Sequence, residues 1–192
     1  MIIPTLITKR LILRGFTHGD LEAYHREIQG DAEVMRTLVG RAPRKLEEVP
    51  ARIDYILNHW QDHGFGIWAV TERATGDFIG QAGLNMIEGS QDCEIAYALG
   101  KRFWGRGYAT EAVRASIRYA FETAALQQLW GVAYPENEAS RRVMTKAGMA
   151  FLGIQQRFFN TEMAVFFIDQ TTYRANAASY RPEAPEIDDS VS

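Results

Sequence analysis

Two glycines one residue apart, Gly105 and Gly107, stand immediately ahead of a stretch in which Ala109, Ala112, Val113, Ile117, Ala120 and Phe121 share one helical face, while Glu111, Arg114, Arg118 and Glu122 do not. That pattern demands a strand-to-helix turn, then a helix with its apolar side laid on a sheet. It also makes an anion site. The first N–H groups of a helix have no acceptor within it and carry the positive end of its dipole. Glycines let the main chain approach phosphate oxygens without a Cβ in the way. A diphosphate fits such a turn. Two rival readings are a tight turn that binds nothing and a dinucleotide fingerprint. The fingerprint needs Gly-x-Gly-x-x-Gly inside a parallel βαβ unit, and Thr110 stands where the third glycine belongs.

The rest of the chain supplies the sheet. Leu6 to Arg14 reads as a first strand. Thr17 followed by Asp20 predicts a helix start, and a second helix is expected from about Leu46 to Asp62, with Pro50 near its beginning. Gly64 to Glu72, Phe78 to Met86 and Cys93 to Leu99 are short apolar runs separated by turn-forming residues, an antiparallel meander. After the glycine turn and its helix, Gln128 to Ala133 returns as a strand. Asn137 caps another helix that Gly148 terminates. Strands near Ala150 to Arg157 and Met163 to Arg174 pair across a turn at Asn160. The order β-α-α-βββ-α-β-α-ββ is an α/β fold: a mixed, mostly antiparallel sheet of about seven strands flanked by about four helices. Residues 1–175 form one domain, and residues 176–192, rich in Ala, Ser, Pro, Glu and Asp, are expected to be a disordered acidic tail.

A chain of 192 residues fits one core, and a hydrophobic share of 46% can fill it, so disorder of the whole is excluded. The formal net charge of −3 offers no global field for nucleic acid. No apolar run approaches the ~20 residues that span a bilayer, so no membrane partner is expected. With Cys93 as the single cysteine and no signal-like opening segment, cytoplasmic residence is expected.

Several motifs, in order, resemble the GNAT superfamily of acetyl-CoA-dependent N-acetyltransferases, and within it the Rim-type branch that acetylates ribosomal-protein N-termini. They are Thr8-Lys9-Arg10-Leu11-Ile12-Leu13-Arg14, Gly76-x-x-Ile79-Gly80, Glu94-Ile95-Ala96-Tyr97, the turn from Trp104 to Ala112, and Asn137-x-x-Ser140-x-x-Val143-x-x-Lys146-x-Gly148-Met149. Trp104 occupies a position that is Gln or Arg in the wider superfamily, and the Rim-type branch shows the same Trp. The resemblance implies that the main chain of Gly105, Arg106, Gly107, Tyr108, Ala109 and Thr110 holds the pyrophosphate of acetyl-CoA. It further implies that Ala98 and Leu99 pair with the pantetheine arm and that Asn137 bonds to the arm from the far side.

The same resemblance points to direct transfer to a primary amine in a ternary complex, the amine being a protein N-terminus or a small molecule. Glu94 is the candidate base, since an alkyl ammonium with a pKa near ~10 must lose a proton before it attacks. The alternative is a strand carboxylate paired to an arginine. Ser140 is the candidate donor to the leaving sulfur, the alternative being a helix serine bonded back to its own chain. Tyr134 is a second candidate acid. A backbone N–H near Ala98 or Leu99 is the candidate oxyanion donor.

Cys93, on the opposite strand face from Glu94, is expected to be a packed thiol and not a nucleophile. His59 and His63 have helical spacing but lack a third ligand, so no metal is expected. Trp60, Phe65, Trp68, Phe158 and Phe159 are expected to be mostly core, with some lining the acceptor pocket. Glu33 and Glu162 are candidates for attracting a cationic amine. A non-catalytic acyl-CoA sensor is the alternative function. Exposed edges in the last hairpin allow a monomer or a homodimer.

Overall fold

The structure, a computed structural model, describes residues 2–38, 40 and 42–180, with the backbone of 186–188. A nine-stranded mixed sheet runs β7-β8-β6-β5-β4-β3-β2-β1-β9. Its strands are β1 Thr5–Ile7, β2 Leu11–Arg14, β3 Ile67–Glu72, β4 Phe78–Met86, β5 Cys93–Leu99, β6 Gln128–Ala133, β7 Ala150–Gln155, β8 Met163–Asp169 and β9 Glu186–Asp188. Helices α1 Leu21–Tyr24, α2 Ala32–Met35, α3 Val49–His63, α4 Tyr108–Glu122, α5 Glu138–Lys146, α6 Gln170–Ala175 and α7 Ala177–Tyr180 connect and cover them. Helix α1 runs on through a π-helical turn, His25–Gln29. No helix among the described residues is long and apolar enough to cross a membrane. The sheet is antiparallel except between β5 and β6, which flank the crossover helix α4 and run parallel.

The first expected strand is two strands. The segment Thr8–Arg10 leaves the sheet because the carboxylate of Glu111 on α4 takes its donors: Thr8 Oγ1 at 2.7 Å, Arg10 N at 2.8 Å and Arg10 Nε at 2.6 Å. Glu111 is only 2% exposed, yet its charge is matched by Arg10. One buried carboxylate therefore ties the opening hairpin β1–β2 to the first turn of the helix behind the glycine loop.

The expected helix start at Thr17 is present as a capping box, with Asp20 accepting from the Thr17 N–H at 2.9 Å and Arg14 clamping Asp20 at 2.6 Å. In α3, Pro50 sits in the first turn, where no donor is needed, and Gly64 ends the helix at φ +72°. Trp60 from α3 meets Trp68 of β3 and Tyr119 of α4 edge-on in the core, at centroid distances of 4.9 and 6.1 Å.

The expected last strand, Met163 to Arg174, is shorter than the pattern suggested. Asp169 accepts from the Thr172 N–H at 2.7 Å and caps α6, which converts the end of the run to helix. The ordered chain also continues past residue 175. Tyr173 stacks on Phe121, and Tyr180 is buried with its hydroxyl donating to the Ala147 carbonyl at 2.6 Å, so α7 is held by aromatic burial that its Ala- and Ser-rich surroundings mask. Backbone pairing of β9 with β1 lies within the segment expected to be disordered. Residues 181–185 and 189–192 of that expected tail lie outside the described residues.

At the opposite edge, β7 exposes Phe151, Leu152 and Ile154, each more than two-fifths accessible, and carries an irregularity between Phe151 and Gly153.

Replacing Glu111 with Ala leaves the Arg10 charge and the Thr8 hydroxyl without their acceptor. It should lower unfolding stability by roughly 3 kcal/mol, read by urea denaturation. A loss below about 1 kcal/mol would mean that the network is no more than a surface pair.

Candidate active site

Strands β5 and β6 pair at a single register position, Glu94 with Trp130, and then part. Toward the far end of β5 the space between them opens into a cavity of about 880 Å³. Gly100 N donates to Ile79 O on β4 at 2.9 Å, which fixes the alternation along β5. Ala98 therefore spends its peptide groups on β4, and the peptide groups of Tyr97 and Leu99 turn toward the gap. Of the two residues expected to pair with an extended ligand, Leu99 has this orientation and Ala98 does not. The Leu99 carbonyl is engaged by the Trp104 indole N–H at 2.7 Å, which ties the strand end to the glycine loop.

The loop supplies the other end of the cavity. Gly105 and Gly107 adopt φ of +75° and +79°, and a Cβ at Gly105 would meet nothing within 4 Å. The left-handed backbone by itself favours glycine at both positions. The N–H groups from Gly105 to Thr110 find no acceptor among the described residues. Arg10 Nη1 holds the Arg106 carbonyl at 2.9 Å, and the Arg10 guanidinium lies 4.6 Å over the Tyr108 ring. The carbonyl is thereby turned out of the loop and the amides are left facing in. Gly105, Gly107, Tyr108, Ala109 and Thr110 line the cavity; the exposed Arg106 side chain does not.

Five residues back along β5 from Leu99, roughly 17 Å at ~3.3 Å per strand residue, Glu94 lines the cavity from the start of the strand. Burial raises its pKa to about 7, against the opposing pull of an Asn85 amide N–H at 3.4 Å and the charge of Arg52. No arginine or lysine lies within ion-pair distance among the described residues, so the paired-carboxylate alternative does not describe it. Asn85 also accepts from the Tyr55 hydroxyl at 3.3 Å, forming a polar chain Tyr55–Asn85–Glu94 along the wall.

Across the gap, the Ser140 hydroxyl shares a 2.7 Å hydrogen bond with Tyr97, whose hydroxyl also donates to the Ser140 carbonyl at 3.0 Å. Burial raises the Tyr97 pKa, so this phenol stays protonated. Asn137 caps α5 by accepting from Ser140 N at 3.0 Å. Its carboxamide oxygen is therefore engaged, and its NH₂ is the group left to meet a ligand in the cavity it lines.

Residues 10–150 match the acetyltransferase (GNAT) domain family. The chain belongs to the GNAT acetyltransferases. FsC-acetyl coenzyme A-N(2)-transacetylase of Aspergillus fumigatus is 31% identical over 166 residues, 82% of this chain and 68% of its own length. The crystal structure of an acetyltransferase from Agrobacterium tumefaciens superposes at a TM-score of 0.74 with 30% identity, covering 88% of this chain and 96% of that one. A ribosomal-protein-S5-alanine acetyltransferase from Vibrio fischeri has the same fold, at a TM-score of 0.71 and 14% identity over 86% of this chain and 96% of that one.

Other candidates fall away from the centre of this acetyltransferase. The Cys93 thiol is buried and its pKa is pushed up to about 12 by burial and by Glu94, which leaves it protonated and inert. His59 uses both ring nitrogens, with Nδ1 2.9 Å from Phe65 O and Nε2 accepting from Met86 N at 3.1 Å; it braces α3 against β4. Trp60, Phe65, Trp68 and Phe158 are core, and of that aromatic set only Phe159 lines the cavity. Glu33 is bound to Lys101 at 2.5 Å, and neither it nor Glu162 lines the cavity. Trp104 and Tyr97 both stand in the quoted motifs, but the contacts they make, to the Leu99 carbonyl and to Ser140, were not legible there. For Tyr97 the available signal was a tyrosine between two alanines on a strand, whose hydroxyl must find a partner when buried.

Holding Glu94 in this pocket has a cost that depends on pH. Its folded pKa of about 7 lies above the unfolded carboxylate value, so the penalty is absent below pH ~4 and complete above pH ~7. Glu94→Gln should therefore stabilise the protein at pH 8, on the order of 1–3 kcal/mol, and the gain should vanish by pH 4. Thermal unfolding of both forms across that range checks it; a gain independent of pH would contradict the burial argument.

Proposed function

We propose that the chain transfers the acetyl group of acetyl-CoA directly to a primary amine in a ternary complex. The reading is carried by one observation: a run of unengaged amides at Gly105–Thr110 opens through the parted strands onto a carboxyl whose pKa is about 7. The amides and the helix dipole suit a pyrophosphate. The edge of β5 at the Tyr97 peptide groups and the Leu99 N–H, with the Leu99 carbonyl already held by Trp104, suits the amide-bearing pantetheine arm, laid in as an added strand. The coenzyme named for the Aspergillus relative agrees with this assignment.

Glu94, directly or through a water, takes the proton that an ammonium must lose. The freed nitrogen attacks the thioester carbon, the C–N bond forms and the C–S bond breaks. A β5 edge N–H, at Tyr97 or Leu99, faces the negative charge that develops on the acetyl oxygen. The second proton of the attacking nitrogen passes to the departing sulfur through the Ser140–Tyr97 hydroxyl pair, which takes up one proton as it gives one out, and the proton held by Glu94 leaves to solvent. The balance is one amide, one thiol and one released proton.

Because the base must be unprotonated, kcat/KM should rise with pH through an inflection near 7, measured by thiol release. Glu94→Gln should lower kcat by about 10²–10⁴-fold and abolish that inflection. Equal turnover by wild type and variant from pH 6 to 9 would remove Glu94 from the mechanism. Binding of acetyl-CoA without thiol release over a broad amine panel would turn the reading into that of a sensor.

A further inference from the structure

The half of the cavity beyond Glu94, away from the glycine loop, has a chemistry of its own. Arg52 of α3 lines it, part-buried. Several other part-buried arginines are matched by carboxylates, Arg10 by Glu111, Arg14 by Asp20 and Arg118 by Glu122, whereas Arg141 spends its charge on the Pro135 carbonyl and the Phe151 ring. Arg52 has no carboxylate within 4 Å among the described residues. Its guanidinium lies 4.6 Å over the Tyr55 ring, and its charge is felt at Glu94, Tyr24 and His59. It therefore sits at the inner wall, close to where the amine must react and far from the pyrophosphate loop.

Beside it Gln81 of β4 lines the same space, 5% exposed. Its Oε1 is committed to the Tyr24 hydroxyl at 2.6 Å, which itself accepts from Gln29 Nε2 at 2.9 Å. That chain fixes the orientation of the carboxamide, and its NH₂ has no partner among the described residues. Arg52 also reaches the Tyr24 hydroxyl, which leaves most of its guanidinium fork without an anionic partner, so the wall presents a charge and a fixed N–H donor with no carboxylate to match them among the described residues.

We infer that the acceptor carries a carboxylate, seated against Arg52 and the Gln81 NH₂, so that its amine reaches Glu94. This inference rests on the acetyl-transfer reading and narrows it to small amines of the amino-acid type. One end of such a molecule offers the proton that Glu94 removes, and the other supplies the oxygens that the wall lacks. A planar guanidinium with a neighbouring N–H donor matches the two oxygens of a carboxylate. A site built to hydrogen-bond a group discriminates strongly against analogues that lack it.

The test compares free amino acids, with both α- and ω-amines, against their carboxamides as acceptors in a thiol-release assay. Wild type should prefer the acids by about 10²-fold in kcat/KM. Arg52→Met should lose that preference, mainly by raising KM for the acids, with the carboxamides changed less than about 3-fold and acetyl-CoA affinity unchanged. Arg52→Lys, which keeps the charge without the fork, should fall between them. The inference is overturned if acids and carboxamides are used equally by wild type, if Arg52→Met weakens both alike, or if only uncharged amines are acetylated. Failure of every amine to release thiol from a folded, acetyl-CoA-binding protein would instead bring down the transfer reading itself.

Discussion

A parallel pair of strands that bonds at one position and then separates is the constraint from which the site follows. Peptide groups inside a protein ordinarily find partners, and a sheet interrupted in its middle leaves two edges that need them. Here the edges do not face bulk solvent. They face a cavity lined toward one end by the glycine loop and toward the other by Glu94, Arg52 and Gln81. The crossover helix α4 spans the break from behind and begins at the loop, so the amides of its first turn point into the same opening. Strand edge, helix terminus and carboxyl are brought together by topology, with side chains adding chemistry at fixed stations along it.

Those stations are held by residues remote in sequence. Glu111 faces the back of the sheet and touches no part of the cavity, yet through Arg10 it governs which way the Arg106 carbonyl turns. Tyr97 links β5 to α5 across the gap through Ser140. His59 and the Gln29–Tyr24–Gln81 chain brace the walls around α3 and β4. Glu94 is the exception: it is kept in a poorly hydrated place where its charged form is unfavourable, the cost that the proposed role of a base near neutrality would carry.

The sequence made the meander and the crossover legible. Phe78–Met86, Cys93–Leu99 and Gln128–Ala133 have the bounds that their apolar runs and flanking turn residues imply, because each is closed by local chemistry. The break at Thr8–Arg10 could not be read, since the group that causes it, Glu111, lies about a hundred positions away. The end of β8 was hidden for a different reason: Ile168 and Tyr173 continue an apolar pattern, and only the Asp169 cap decides that the chain turns helical. At the site, Glu94, Ser140 and the glycine loop were visible in motifs. The bond of Tyr97 to Ser140 and the placing of Arg52 without a carboxylate were not, because a residue's partners, or their absence, are set by tertiary approach. The orientation of Ala98 against Leu99 likewise depends on register, which alternates with every residue.

The outer strand β7 joins two features that usually conflict. It displays Phe151, Leu152 and Ile154 to solvent at a sheet margin, where an incoming chain finds both apolar contact and free backbone groups. Gly153, at φ +102°, sits in the middle of that margin and interrupts its register with β8. A kink there shortens the straight length available for templating, so the exposed border can hold a compact companion while resisting the open-ended stacking that leads to fibres.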